Sequence, residues 1–346
     1  MSNLNIRKPR FYVDRLNYIL NRGRTIAQSC EVQATNAGTN KVGLKSGSVV
    51  ADLIDMRPLN QAVFDTSAST TTMADTAIIR FDFAFGSYTT NFVAILNHNM
   101  TSADAKFSIG YGSEANVETI GFDTSGGGSI ITPSVQLNGT VDSNIVTPQS
   151  DGHTLVTFSS AGSSDWGIQF QGSDSGKFDA TNDLKIGCIL IGEFYDMPNS
   201  PDLNLKRNIK FDKQTMQESL GGQRFSNLSS VGKRYISDQN KSPFHDYTGN
   251  GARGLYGGRM SYDMKFSYLN STDIMPDDYS SFNDNSVVDD VWSATHGSHT
   301  PFIFTQDGTS SSESDYLFAR FAQDSLEMNQ VATDVFNVSF KIEEEF

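Results

Sequence analysis

The sequence predicts a mainly β protein: an N-terminal β-sandwich followed by a second antiparallel, β-rich domain that carries one short helix. Three observations lead there. Charged residues make up 19% of the 346 residues, against 29 Gly and 24 Phe, so straight-chain helix formers are scarce while turn formers and β-formers abound. Several windows alternate strictly between apolar and polar residues, the period of a strand with one buried face. Stretches rich in Gly, Ser, Thr and Asn separate those windows, as turns and loops do.

Taken in chain order, residues 10–20 fit either a strand or a helix, and both assignments stay open. Ile79, Phe81, Phe83 and Phe85 alternate with Arg80, Asp82 and Ala84, which describes a strand with one wet face. Phe92 to Leu96 and Ile186 to Ile191 are short continuous apolar runs, expected of strands buried on both faces. Residues 124–164 read as long loops or small hairpins, with Ser125 to Ser129 as a flexible tip. Pro198 and Pro201 interrupt regular structure. Met260, Tyr262, Met264, Phe266 and Tyr268 form a second alternating set, and Phe336, Val338, Phe340 and Ile342 a third. Between them, Val288, Val291 and Trp292 follow the cap formers Asn283, Asp284 and Asn285, so residues 285–295 are predicted to hold the one helix.

Charge divides the chain into blocks. The whole carries 26 Lys and Arg against 40 Asp and Glu, a net charge of −14, which argues against a nucleic-acid partner because phosphate neutralisation needs a basic footprint. Residues 1–30 are nevertheless net basic, 31–205 acidic, 206–265 basic and 266–346 strongly acidic. We therefore divide the chain into a basic N-terminal arm (1–30), a β-sandwich (31–203) and a β-rich assembly domain (204–346). Alternating blocks suit docking between copies by opposed patches, with pairing inside one sheet as the simpler explanation. Arg7, Lys8, Arg10 and Arg15 are the candidate assembly contacts of the arm; an ordinary first strand and helix is the competing assignment. Charges in the first 25 residues break every apolar run, so neither a signal peptide nor a membrane span is expected.

Motifs for chemistry are sparse. The glycine cluster from Gly251 to Gly258 lacks the Lys-Ser/Thr pair of a phosphate loop, and no nucleophile-elbow pattern occurs. His296 and His299 have the spacing of two ligands but no fixed acidic third, and the paired aspartates at 277–278 and 289–290 do not follow a calcium loop. No metal, no cofactor and no catalytic residue is therefore expected. Cys30 and Cys188, the two cysteines, read as small buried hydrophobes rather than a disulfide. The most informative polar segment is Asn97, His98 and Asn99, an Asn-His-Asn turn closing a buried strand, as at a binding rim or interface of a sandwich.

Ala51 to Asp55, Ile78 to Gly86, Phe92 to Asn99 and Leu184 to Glu193, in that order, resemble the discoidin-type, galactose-binding-like jelly-roll modules of tailed-phage particle proteins. The resemblance covers roughly residues 40–196. The second half, through Leu220 to Arg224, Thr300 to Asp307 and Tyr316 to Phe321, is similar to tail or baseplate components. This implies a non-enzymatic, multi-copy virion protein whose partners are other virion proteins and copies of itself. No aromatic-lined sugar site is visible in the first domain, so carbohydrate binding is not carried over from the resemblance. A glycan-binding adhesion or receptor-binding module is the alternative, needing exposed aromatics such as Trp166 or Tyr88 at a loop rim. A glycan hydrolase, needing two carboxylates across a groove, comes third.

Overall fold

The computed structural model describes residues 7–33, 42–67, 76–83, 88–114, 117, 129–173, 177–210, 214–228, 259–276 and 285–345. The chain is mainly β and antiparallel, as the composition predicts. Its largest element is an eleven-stranded sheet that runs through both halves of the sequence. This sheet contains β1 (Arg10–Asp14), β5 (Tyr88–His98), β8 (Ser134–Leu137), β11 (Gly152–Ser163), β14 (Cys188–Asp196), β15 (Lys206–Lys210), β18 (Arg259–Asn270), β19 (Phe302–Thr305), β20 (Tyr316–Phe321), β21 (Met328–Ala332) and β22 (Val335–Glu344). Across it the order is β15-β18-β22-β20-β19-β1-β14-β5-β11-β8, with β21 also on β22.

A second sheet packs on the first half of the large one. It contains β2 (Cys30–Val32), β4 (Thr76–Asp82), β6 (Ala105–Gly112), β7 (Ser129–Ile130), β9 (Thr140–Asp142), β10 (Ile145–Thr147) and β12 (Asp165–Gly172), in the order β2-β4-β12-β6-β10-β9 with β7 on β6. From β4 to β6 and again from β10 to β12 the chain steps between the two sheets, the alternation of a jelly-roll sandwich. Two small ribbons complete the sheets: β3 (Ala62–Val63) with β13 (Lys185–Ile186), and β16 (Gln214–Glu218) with β17 (Arg224–Leu228).

Alternation in the sequence maps directly onto the sandwich core. Ile79, Phe81 and Phe83 are fully buried in one cluster with Val93, Ile95, Val156, Ile168 and Phe170, while Arg80 and Asp82 lie half-buried on the other face; Phe85 lies outside the described residues. The continuous runs are buried on both faces: Phe92, Ala94, Leu96, Cys188 and Leu190 form a separate cluster with Tyr12, Ile303, Tyr316 and Phe318 on the far side of the large sheet. Both cysteines are buried free thiols, and burial pushes their ionisation upward. Where loops or small hairpins are expected at 124–164, the β9–β10 hairpin is present, yet the twelve-residue β11 is an interior strand. Its Leu155 and Val156 supply the apolar anchor, and its threonines tolerate a pleated setting.

Residues 10–20 resolve into both alternatives at once. Arg10–Asp14 is β1, and Arg15–Asn21 is the helix α1, with Asp14 as the hinge between them. One Asp14 carboxylate oxygen accepts the Asn17 backbone N–H at 2.6 Å and caps the helix; the other accepts the Ile191 N–H at 2.9 Å. Two further single-turn helices occur, α2 (Ile26–Ser29) and α3 (Ser271–Ile274). The helix expected over 285–295 is present as a π-helix, Val287–Ser293, capped by Ser286; Asn283 and Asp284 lie outside the described residues. In the strand from Met260, the alternation breaks at Tyr268, where a bulge lets Leu269 turn inward instead. Tyr268 is 77% exposed at a φ of +62°, a backbone region bulky residues rarely adopt.

Two expectations about organisation are corrected. Residues 7–30, the described part of the expected arm, are built into the fold: β1 lies between β14 of the first half and β19 of the second, and Phe11, Tyr12 and Val13 are fully buried. The boundary at 203 therefore does not separate two independent sheets. Gly192 makes the join tight, since a Cβ there would sit 2.1 Å from the Val13 carbonyl oxygen. Non-local pairing of this kind has no signature in local periodicity, and Arg7, Arg10 and Arg15, which suggested an arm, pair with acids of their own chain.

Candidate functional site

Arg7, Arg10 and Arg15 pair through their side chains with acids of their own chain, whereas Lys8 is tied in through its backbone and is exposed. Arg10 grips Asp196 with two hydrogen bonds of 2.6 and 2.8 Å and lies 3.9 Å over the Phe194 ring. Arg7 pairs with Asp307 at 3.3 Å, and the Lys8 carbonyl accepts the Gly308 N–H. Arg15, 1% exposed, bonds Asp290 of the π-helix at 2.7 Å and stands 3.7 Å from Glu193. Burial raises the Glu193 carboxyl to about 7 despite Arg15, and raises Asp14 to about 6 against its hydrogen bonds.

The Asn-His-Asn turn is likewise a brace rather than an open rim. Asn97, at a φ of +51°, donates to the Pro58 carbonyl at 2.6 Å, and its own carbonyl accepts from Gln61. Asn99 donates to the Asp183 carbonyl and accepts the Lys185 N–H. His98 is buried; its Nδ1 accepts the Met100 N–H, which leaves the proton on Nε2 to meet Thr154 Oγ1 at 2.9 Å. Desolvation lowers His98 to about 3 and its buried neighbour His153 to about 4, so both rings are neutral at pH 7. A polar turn after an apolar strand marks the end of the strand, and here its amides are consumed in fixing the loops beside it. Trp166 is fully buried against Tyr111 and Phe158 and offers no stacking face, while Tyr88 is half-buried and packs on Phe83.

The site the structure does present is a cleft of about 730 Å³ between the two halves, open to solvent. Three elements build it. The exposed side of α1 brings Asn17 and Asn21, and the turn after the sandwich's first helical segment brings Asp55, Met56, Arg57, Leu59 and Asn60. From the second half come His299, Thr300 and Pro301 at the start of β19, Arg320 of β20 and Glu345 just beyond β22. These positions come together because β1 holds the halves side by side and α1 leaves it directly.

Most of this lining is fixed in place before any ligand arrives. Asn60 Nδ2 bridges Asp52 and Asp55, each at 2.9 Å, while Asp55 also accepts the Arg57 N–H. Asn21 donates to Thr300 across the join at 3.1 Å. Arg320 bonds Glu345 at 3.0 Å and the carbonyls of Ser298 and His299. Arg57 and His299 are exposed, and no partner for either side chain is found among the described residues. The cleft thus pairs two carboxylates with two guanidiniums, adds side-chain amides and an imidazole, and has an apolar strip of Met56, Leu59 and Pro301. No local pattern announces it: Asn17 and Arg320 are three hundred residues apart, and only the topology unites them.

No family model and no curated protein matches the chain. Among solved structures, a pectin-binding carbohydrate-binding module is 11% identical with a TM-score of 0.29, covering 47% of this chain and 88% of its own. Chitosan-binding module 1 of a chitosanase/glucanase from Paenibacillus sp. IK-5 is 12% identical at a TM-score of 0.30, covering 49% and 98%. The module CBM32-1 of a family 31 glycoside hydrolase from Clostridium perfringens is 11% identical at 0.30, covering 47% and 93%. At such identities and scores the function must be read from the site itself.

Proposed function

We propose that this chain is a non-enzymatic carbohydrate-binding protein and that the cleft between its halves holds the sugar. The observation that carries the reading is the lining. A sugar hydroxyl both donates and accepts, so it is matched by a wall of fixed amides, carboxylates and guanidiniums offering both roles at close spacing. The strip of Met56, Leu59 and Pro301 suits the C–H face of a pyranose. Two carboxylates balance two guanidiniums, which favours a neutral glycan over a polyanion. The test is titration calorimetry with neutral oligosaccharides selected on a glycan array. Arg57→Ala, which removes an exposed donor with no side-chain partner among the described residues, is expected to weaken binding by about tenfold, the value of one charge-assisted hydrogen bond. Absence of any array signal, or binding indifferent to Arg57→Ala, would overturn the reading.

A second reading, a multi-copy structural component such as the tailed-phage particle protein the sequence resembles, is favoured by a different observation. The β16–β17 ribbon is exposed along its described length, with Met216 61%, Phe225 56% and Leu220 wholly exposed. Isolated two-stranded ribbons with such residues need a partner surface to be stable. In this reading the protein acts in the virion, bound to other virion proteins and to copies of itself.

A further inference from the structure

We propose that copies of this chain associate head to tail by sheet extension, the free edge of β15 in one copy pairing with the free edge of β21 in the next. The inference deepens the multi-copy reading and is independent of sugar binding. In the second half, the strands run β15-β18-β22-β21, each antiparallel to its neighbour. Among the described residues, β15 pairs only with β18 and β21 only with β22. Both edges are five residues long and contain no proline; β21 bulges at Val331, while Met328 to Gln330 keep a regular register, so each presents an outer row of backbone donors and acceptors to a further strand.

Three features select the second copy as the occupant and fix its orientation. Strand direction comes first: because directions alternate over four strands, a copy brought in with the same orientation lays its β15 antiparallel to β21. Charge comes second. The β15 edge carries Lys206 and Lys210, both exposed, whereas the exposed acids Asp324, Glu327 and Asp334 flank β21 and residues 321–340 contain no Lys or Arg. Pairing β15 with β15, or β21 with β21, would face like charges; only the mixed pairing joins opposite ones. The third is the apolar stripe. Ile209, 52% exposed, lies opposite Met260, and Met328, 38% exposed, lies opposite Val338, which in turn lies opposite Phe266. Opposed residues share a sheet face, and Met260 and Phe266 share one on β18. Ile209 and Met328 therefore lie on the same face, and the join continues the core's apolar surface from one molecule into the next. Such an interface is heterologous, so it builds rings or filaments rather than stopping at a dimer.

Light scattering coupled to size exclusion, at low salt over a dilution series, tests this with the full chain. The wild type is expected to form species larger than a dimer that dissociate on dilution and at high salt. K206E and D324K/E327K should each weaken association by about tenfold or more, with little change in melting because these side chains are exposed. Mixing the two variants should restore it, since each supplies the edge the other can accept. A wild type that stays monomeric throughout would overturn both this interface and the multi-copy reading. Assembly retained by both variants alone would overturn the interface and leave the multi-copy reading standing. Assembly that ends at a dimer and responds only to K206E would replace head-to-tail joining with symmetric β15 pairing.

Discussion

Glu193→Gln is expected to tilt a pH profile that is otherwise level. Two buried carboxyls have raised values in the fold, Glu193 from 4.5 to about 7 and Asp14 from 3.8 to about 6. On going from pH 7 to 5 they take up protons in the native state while remaining mostly ionised in the unfolded chain, so the fold gains. By linkage the gain is about 2 kcal/mol from Glu193 and about 1 kcal/mol from Asp14. His98 and His153 act oppositely: lowered from 6.5 to about 3 and about 4, they stay neutral when folded and charge when unfolded. Over the same range each costs about 2 kcal/mol. The two effects nearly cancel, and wild-type stability should differ by no more than about 1 kcal/mol between pH 5 and 7. Gln at 193 keeps the side chain's shape and leaves Arg15 its 2.7 Å bond to Asp290, but removes the compensating proton. The variant should therefore lose about 2 kcal/mol more than the wild type on acidification. Urea unfolding at pH 5, 6 and 7 reads this directly. Parallel profiles for the two proteins would refute the account of Glu193 as a buried, proton-holding carboxyl.

Three further outcomes follow from the seam and the bulge. Gly192→Ala places a methyl 2.1 Å from the Val13 carbonyl oxygen and should cost about 3 kcal/mol or more by prying β1 from β14, seen as a large drop in melting temperature. Tyr268→Gly relieves the left-handed backbone of an exposed side chain and should stabilise by roughly 1 kcal/mol, measured by the same melt. Deleting residues 1–30 removes an interior strand together with Arg15, and the product should lack the cooperative unfolding transition of the full chain by calorimetry; a cooperative, soluble product would show that β1 is dispensable.

What the sequence made legible was whatever repeats at short range. Ile79, Phe81 and Phe83 declare their strand because the period of two is intrinsic to it, and Phe92 to Leu96 declare a strand buried on both faces by having no polar position. Residues 10–20 were ambiguous for a physical reason: the period changes from two to that of a helix at Asp14, so neither template fits the whole window. Tyr268 continues a perfect alternation and yet points outward, since a bulge is decided by pairing with Phe336 and Val338 and not by the strand itself. The cleft was illegible for the same reason on a larger scale. Asn17, Arg57, His299 and Arg320 belong to no motif, and Asn97, His98 and Asn99 look like a rim because a polar turn looks alike whether its amides face solvent or neighbouring backbone.

The place of β1 also bears on how the protein is made. Tyr12 is made well before its neighbour Ile303, which is added about 290 residues later, on the order of 15 s to a minute at usual elongation rates. During that interval the nascent sandwich can acquire β14 beside β1 while the other flank of β1 has no cover. The second half cannot settle in its final place until β19 has been made, so β19 and the strands after it close this fold rather than extend it. A stalled or truncated chain would expose an apolar edge containing Phe11 and Tyr12, and a cell producing this protein has reason to supply a chaperone at that stage.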